Sequence, residues 1–228
     1  MALRSVTRAI AGTGYRTLRH HWATELRHVL WIGGGTGAGK TTIAKAIAKR
    51  HGLGCYDYDW QDARGHSERT SAERHPFRAA FLALSMDERW VLQKPELMAE
   101  STIGQFSERF EMVLEDLAAM DARGVVAEGF GLLPELVAPH LISRAQAIFL
   151  LPTPATRERN YASRGWAGID GTSDHGRASR NKLDRDAMLT EHVRRTARAH
   201  NLATVELDGT QTLDEVVAVA EGHFGLAR

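Results

Sequence analysis

The sequence has a single cysteine, Cys55, which excludes an internal disulfide framework and any zinc site built on cysteine clusters. A reducing compartment, the cytoplasm, is the expectation that follows. Its 11 histidines show no H-E-x-x-H or comparable ligand spacing, so a histidine-built metal centre is not expected either. No apolar run approaches the roughly 20 residues of a membrane span. An excess of one charge is also missing: Lys+Arg 29 against Asp+Glu 28 leaves +1, too little to hold nucleic acid by bulk charge. One shortage is local. Between Met1 and Thr24 no acidic residue occurs, while Arg4, Arg8, Arg16 and Arg19 recur among small and hydroxyl residues. That composition fits an organellar transit segment or a basic arm, and the lack of a sustained apolar face favours the arm. Residues 1–27 are therefore set apart from a domain spanning 28–228.

The chain is long enough, at 228 residues with 43% hydrophobic, to bury one α/β core with an insertion or lid. Short apolar runs alternate with longer helical patterns, the signature of a parallel sheet with crossover helices. Strands are expected at residues 28–32, 53–58, 124–127, 145–151 and 203–207. Helices are expected at 40–51, 77–91, 101–120, 154–163, 180–200 and 213–223. The fold class is α/β, a doubly wound five-stranded parallel sheet. Residues 61–122 form a helical insertion and 154–180 a lid. Ligands then belong at the carboxyl ends of the strands.

Chemistry concentrates first in Gly34-Gly-Thr-Gly-Ala-Gly39-Lys40-Thr41, a full G-x-x-x-x-G-K-[ST] motif between an apolar strand and a helix. Glycines let successive backbone N–H groups curl around a phosphate without a Cβ in the way. The helix N-terminus behind them adds a favourable dipole. Gly35, Thr36, Gly37, Ala38, Gly39, Lys40, Thr41 and Thr42 are thus expected to hold the phosphates of ATP, with Lys40 on the β- and γ-phosphates and the Thr41 hydroxyl on Mg²⁺.

The second expected strand ends Cys55-Tyr-Asp57-Tyr-Asp59-Trp60. Period-2 geometry would turn Asp57 and Asp59 the same way, toward the mouth that Lys40 occupies. One carboxylate could then serve the metal and the other orient or deprotonate an acceptor hydroxyl. The alternative is a solvated turn in which one Asp caps a helix. The third strand delivers Glu128 beside glycine in Val125-Val-Ala-Glu-Gly-Phe-Gly131. After the fourth strand, Arg157, Arg159 and Arg164 follow Pro152-Thr-Pro-Ala-Thr. Arg157 and Arg164 share a helical face seven residues apart, and a guanidinium there would stabilise charge spreading over a transferring phosphoryl group. Arg180 and Arg185 are weaker candidates. In the insertion, Arg64, His66, Arg69, Arg74, His75 and Arg78 precede an apolar helix and Trp90. These donors would suit an anionic or sugar-like molecule, although Asp62, Glu68 and Glu73 make the local charge mixed.

A phosphate loop followed by Asp-x-Asp at the end of strand two resembles shikimate kinase and its gluconate-kinase-like relatives. The resemblance implies that Asp57 sits near the metal and Asp59 contacts the acceptor hydroxyl. The Glu128-Gly pair resembles the corresponding element of uridine kinases and zeta-toxin-like sugar-nucleotide kinases, which implies service to metal, its water or substrate. Position after strand four resembles the lid of nucleoside-monophosphate kinases, which implies a catalytic role for Arg157 and Arg164. The ending, Val205 through Asp214, resembles the close of this kinase group, where a loop passes the adenine. The resemblance covers residues 29–223, but the segment 61–100 has no match to the shikimate-binding region. A P-loop small-molecule kinase is the expectation: Lys40, Asp59, Arg157 and Arg164 catalytic, Thr41, Asp57 and Glu128 at Mg²⁺. Its partner would be a small-molecule hydroxyl acceptor, without nucleic acid or membrane, on a monomer or homodimer. A nucleotide or polynucleotide 5′-hydroxyl kinase and an NTP-binding regulatory ATPase switch stay open as alternatives.

Overall fold

A computed structural model describes residues 24–164 and 168–226; the basic arm up to residue 23 lies outside the described part. Five strands form one sheet: β1 (Val29–Gly34), β2 (Gly54–Asp57), β3 (Val125–Glu128), β4 (Ala147–Pro152) and β5 (Ala203–Leu207). All neighbouring pairs are parallel, in the order β2-β3-β1-β4-β5. The α/β expectation holds, with strand order reversing at β1, where β3 and β4 flank it.

The principal helices are α1 (Lys40–His51), α2 (Tyr58–Gln61), α3 (Pro76–Ala83), α4 (Pro95–Ala118), α5 (Pro134–Val137), α6 (Pro154–Arg164), α7 (His175–Ala199) and α8 (Leu213–Phe224). Strand periodicity sorts the core into two layers. Trp31, Ala127, Phe149 and Leu151 face one side, packing with Phe110, Val113 and Leu117 of α4 and Val193 of α7. Ile32, Val126, Ile148 and Leu150 face the other, against Ile43, Ala44 and Ile47 of α1 and Val217 of α8. Burial of apolar side chains on both faces is what makes each strand read as a continuous hydrophobic run. No helix of the described residues is long and apolar enough to cross a membrane.

Three boundaries differ from the sequence expectation, each for a local reason. The helix expected over 77–91 breaks after Ala83. Ser85 and Glu88 bond reciprocally there, Ser85 N to Glu88 Oε2 at 2.7 Å and Glu88 N to Ser85 Oγ at 3.2 Å, and a π-wound turn Glu88–Leu92 follows. The resulting α3 buries no residue fully, so it lies on the periphery. The long helix before β3 starts at Pro95, whose missing N–H costs nothing in a first turn. The helix expected from 180 starts at His175, because Asp174 accepts from Arg177 N at 2.9 Å and caps it.

Candidate active site

The phosphate loop sits between β1 and α1 at the carboxyl end of the sheet. Gly34 has φ 129° and leaves no room for a Cβ, which would stand 2.1 Å from the Leu150 carbonyl oxygen. A side chain there would push β1 off β4, so this glycine belongs to the sheet as much as to the loop. Lys40 opens α1, is buried, and donates from Nζ to Gly35 O at 3.0 Å. Its ammonium also lies 5.8 Å from the ring centre of Phe130. Asn160 Nδ2 holds Gly37 O at 2.7 Å.

On one side of the loop lies a cavity of about 370 Å³, bounded by Gly37 to Gly39, Thr42, Arg159, Gly209 and Gln211 among others. Its size suits a nucleoside. Arg159 packs over the backbone of Gly209, and Asp208 pins that loop by accepting from Thr210 N at 2.9 Å. On the other side is a cleft of about 240 Å³ lined by Asp59, Asp62, Arg78, Arg109, Phe130 and Arg185. Phe130, whose ring centre lies near the Lys40 ammonium, borders this cleft, and Gly39, which precedes Lys40, borders the first cavity.

The two aspartates do not form a co-pointing strand pair. β2 stops at Asp57, whose Oδ1 accepts from Trp60 N at 3.0 Å and caps α2. Asp59 then falls in the first turn of α2 and opens into the second cleft. The capping option thus describes Asp57, and a helical turn rather than strand alternation aims Asp59. Asp59 is exposed at the mouth of the cleft; partial desolvation there raises its carboxyl above the ordinary range, and the charge of Lys40 opposes that rise.

Asp57 and Glu128 are register partners on β2 and β3. Glu128 is fully buried, and neither of its oxygens has a hydrogen-bond partner. Burial pushes its pKa up to about 7, against the Thr41 hydroxyl and Lys40, with Asp57 and Asp59 adding repulsion. A buried carboxylate with both oxygens unsatisfied, close to the Thr41 hydroxyl, fits a divalent cation bound with nucleotide phosphates. Among the described residues no group of three or more His, Cys, Asp and Glu could hold a metal alone. A cation here would therefore depend on oxygens that a ligand supplies.

Arg157 packs beside the loop, its Cα and Cγ 3.8 and 3.9 Å from where a Gly37 Cβ would stand. Its place in the first turn of α6 leaves it buried at the end of β4, where Nη2 donates to Thr190 Oγ1 at 3.0 Å and Pro152 O at 3.4 Å. Thr190 in turn packs against Gly35. Arg157 thus props the glycine loop, and Arg159, on a different face of the same helix, reaches the nucleoside-sized cavity. Arg164 ends α6, and its side chain lies outside the described residues.

The basic cluster of the insertion also separates by role. His66 is buried between Asp116, 2.9 Å from Nε2, and Asp62, 3.8 Å from Nδ1. His75 accepts at Nδ1 from Ser71 N at 3.0 Å. Arg69 pairs with Glu115 and Asp116, Arg74 pairs with Glu111, and Arg64 lies over the ring of Trp60. Only Arg78 of that cluster lines the cleft. Sequence reasoning did not single out Arg109, which is 1% exposed and forms a buried ion pair with Asp62. The available signal was positional: Gln105 and Arg109 sit beside Phe106, Phe110 and Val113 on the buried face of α4. A charged residue at such a position requires a buried partner.

No protein-family model matches the chain, and no curated protein sequence is similar to it. Solved structures are similar at low identity. Deoxyadenosine kinase from M. mycoides is 12% identical over 87% of this chain and 100% of its own, with a TM-score of 0.49. Shikimate kinase from Acinetobacter baumannii is 15% identical over 89% of this chain and 96% of its own, with a TM-score of 0.48. A gluconokinase from Sinorhizobium meliloti is 17% identical over 88% and 93%, with a TM-score of 0.41. Identities and TM-scores this low assign neither activity nor substrate.

Proposed function

We propose that the protein transfers the γ-phosphoryl group of ATP to a hydroxyl of a small-molecule acceptor. The observation that supports this reading is a complete phosphate loop whose Gly37 to Gly39 border a nucleoside-sized cavity and whose Lys40 lies 5.8 Å from Phe130, a wall of the second cleft that Asp59 lines. ATP would place its base and ribose by Arg159 and Gly209 and its phosphates on the amides of Gly35 to Thr42. Thr41, with Glu128 and Asp57 close by, would hold Mg²⁺, which when bound neutralises phosphate charge. Lys40 would draw the β- and γ-phosphates toward the acceptor. Asp59 would accept the hydroxyl proton as the acceptor oxygen bonds to phosphorus and the bond to the ADP oxygen breaks. Its raised pKa makes it a stronger base for that proton than an ordinary aspartate. Arg157, through Thr190, would keep the loop in register, and Arg164 remains the proposed clamp on the transferring group. The acceptor binds between the insertion and the base of the lid, in the cytoplasm and without nucleic acid.

The test measures ADP and free phosphate together across sugars, sugar acids, nucleosides, nucleotides and aminoglycosides. ADP without free phosphate, for one acceptor class and not in Lys40→Ala, is the expected result. Equal ADP and phosphate regardless of acceptor would refute transfer and indicate a regulatory ATPase.

A further inference from the structure

One stripe of α7 runs along the phosphate loop. Thr190 packs against Gly35 and takes a hydrogen bond from Arg157 at 3.0 Å. One turn earlier, Asp186 is fully buried and bonds the hydroxyl of Tyr161, which has the Thr36 side chain for a neighbour. Asn160, next to Tyr161 on α6, holds Gly37 O at 2.7 Å. The next turn of the same stripe carries Lys182, since residues four apart share a helical face. Its ammonium stands 5.6 Å from the ring centre of Tyr161 and 4.9 Å from that of Trp90. Successive turns of one helix thus meet Gly35 through Thr190, Thr36 through Asp186 and Tyr161, and the ring of Tyr161 through Lys182.

Lys182 is partly buried, yet among the described residues it has no hydrogen bond and no carboxylate in ion-pair contact. The carboxylate whose charge acts on it, Asp186, is committed elsewhere. Its Oδ1 accepts from Arg185, 2.8 Å from Nε and 2.6 Å from Nη2, and its Oδ2 accepts from Tyr161. Burial, with the charge of Arg185 added, lowers the Lys182 pKa to about 8 against the pull of Asp186. Aromatic faces attract a cation without neutralising it, so positive charge is in surplus beside the loop.

The position of that charge selects one phosphate. The nucleoside-sized cavity lies at Gly37 to Gly39 and Arg159, and Lys182 lines no part of it. Trp90, which Lys182 covers, also lies 5.0 Å from the guanidinium of Arg185, a wall of the second cleft. A triphosphate laid from the cavity toward that cleft presents its last phosphate, not its first, to Lys182. We propose that Lys182 is a second phosphate-binding lysine, which grips the terminal phosphate of the bound triphosphate from the α7 side and stays with it as it passes to the acceptor. Lys182 exchanges no proton in that step. The acceptor oxygen bonds to phosphorus, the bond from phosphorus to the ADP oxygen breaks, and Asp59 takes the hydroxyl proton, while the ammonium offsets charge spreading over the phosphoryl oxygens. The inference rests on the kinase reading and adds a catalytic residue to it.

The experiment labels the lysines of the full chain with trace acetic anhydride and reads each site by mass spectrometry. Three states are compared: the free protein, the protein with Mg²⁺ and ADP, and the protein with Mg²⁺ and the β,γ-imido analogue of ATP. Calorimetry in the same samples measures whether each nucleotide binds. ADP should leave the reactivity of Lys182 as it is in the free protein. The analogue, which carries the terminal phosphate, should lower it roughly 10-fold by holding the amine protonated. Lys182→Met keeps a flexible apolar stem on the two rings and removes the charge. It should weaken the analogue roughly 10- to 100-fold, as expected for a charge-assisted hydrogen bond, and leave ADP affinity unchanged. Lys182→Arg keeps the charge and should retain most of the analogue affinity, which covers the case in which the methionine variant folds poorly. With both nucleotides bound, Lys182 protected by the two alike or by neither overturns the inference, as does an equal loss of both affinities in Lys182→Met. Failure of both nucleotides to bind would instead refute the kinase reading.

Discussion

Replacing Glu128 by Gln isolates the charge of a carboxyl buried next to the phosphate loop. Its pKa stands at about 7 instead of the usual 4.5, mainly because burial disfavours the anion. At about 1.4 kcal/mol per pH unit, that difference corresponds to roughly 3 kcal/mol between the protonated and charged forms. The direction follows from proton counting. Between pH 4.5 and 7 the folded chain keeps a proton that the unfolded chain has released, so the unfolded state gains as pH rises. The stabilisation is whole below the unfolded value and is lost as pH climbs through about 7. Urea denaturation in EDTA, at half-unit steps from pH 4.5 to 8, should show wild type losing about 3 kcal/mol relative to Glu128→Gln. Thr41→Val removes a hydroxyl that favours the anion and should move the midpoint higher still. Parallel wild-type and Glu128→Gln curves would refute the argument that this carboxylate is desolvated, and with it the case for a cation there.

Two further substitutions probe separate parts of the site. Asp59→Asn should lower kcat by about 10²- to 10⁴-fold with nucleotide affinity nearly unchanged, as for loss of a positioned base; a change in melting temperature alone would make Asp59 structural. Gly131→Ala would bring a Cβ to 2.2 Å from Tyr58 Cζ, in a packed wall where Tyr58 is 1% exposed. Overpacking of this kind costs about 1–3 kcal/mol, so calorimetry should find Tm lower by several degrees, and an unchanged Tm would mean that the wall yields freely.

The phosphate loop was legible because its requirements are local: glycines, lysine and threonine at fixed spacing between a strand and a helix. The five strands were legible for a similar reason, since two-sided burial writes short apolar runs into the chain. Their order was not, because the placing of β3 between β1 and β2 depends on which surfaces meet, not on any one segment. Asp57 and Asp59 show how a two-residue spacing misleads. Once Asp57 bonds the N–H of Trp60, the chain turns helical and the strand period no longer applies. Arg157 was expected in a lid, and spacing gave no sign that its guanidinium would also bond Thr190, 33 residues further along the chain. Arg109 escaped notice because its partner, Asp62, lies 47 residues away in sequence. Ion pairs at that separation leave no spacing to read.

Arg78 and Arg109 face the same cleft from supports of very different standing. Arg109 is rooted in α4, whose neighbouring side chains hold up the sheet, so replacing it disturbs the fold as well as the ligand. Arg78 rides on α3, a two-turn helix with no fully buried residue. Substitutions on α3 can therefore alter what the cleft accepts while leaving the core intact. For an engineer, that outer helix is where the lining of the cleft can be changed cheaply, and the inner one is where any change is also a change to the core.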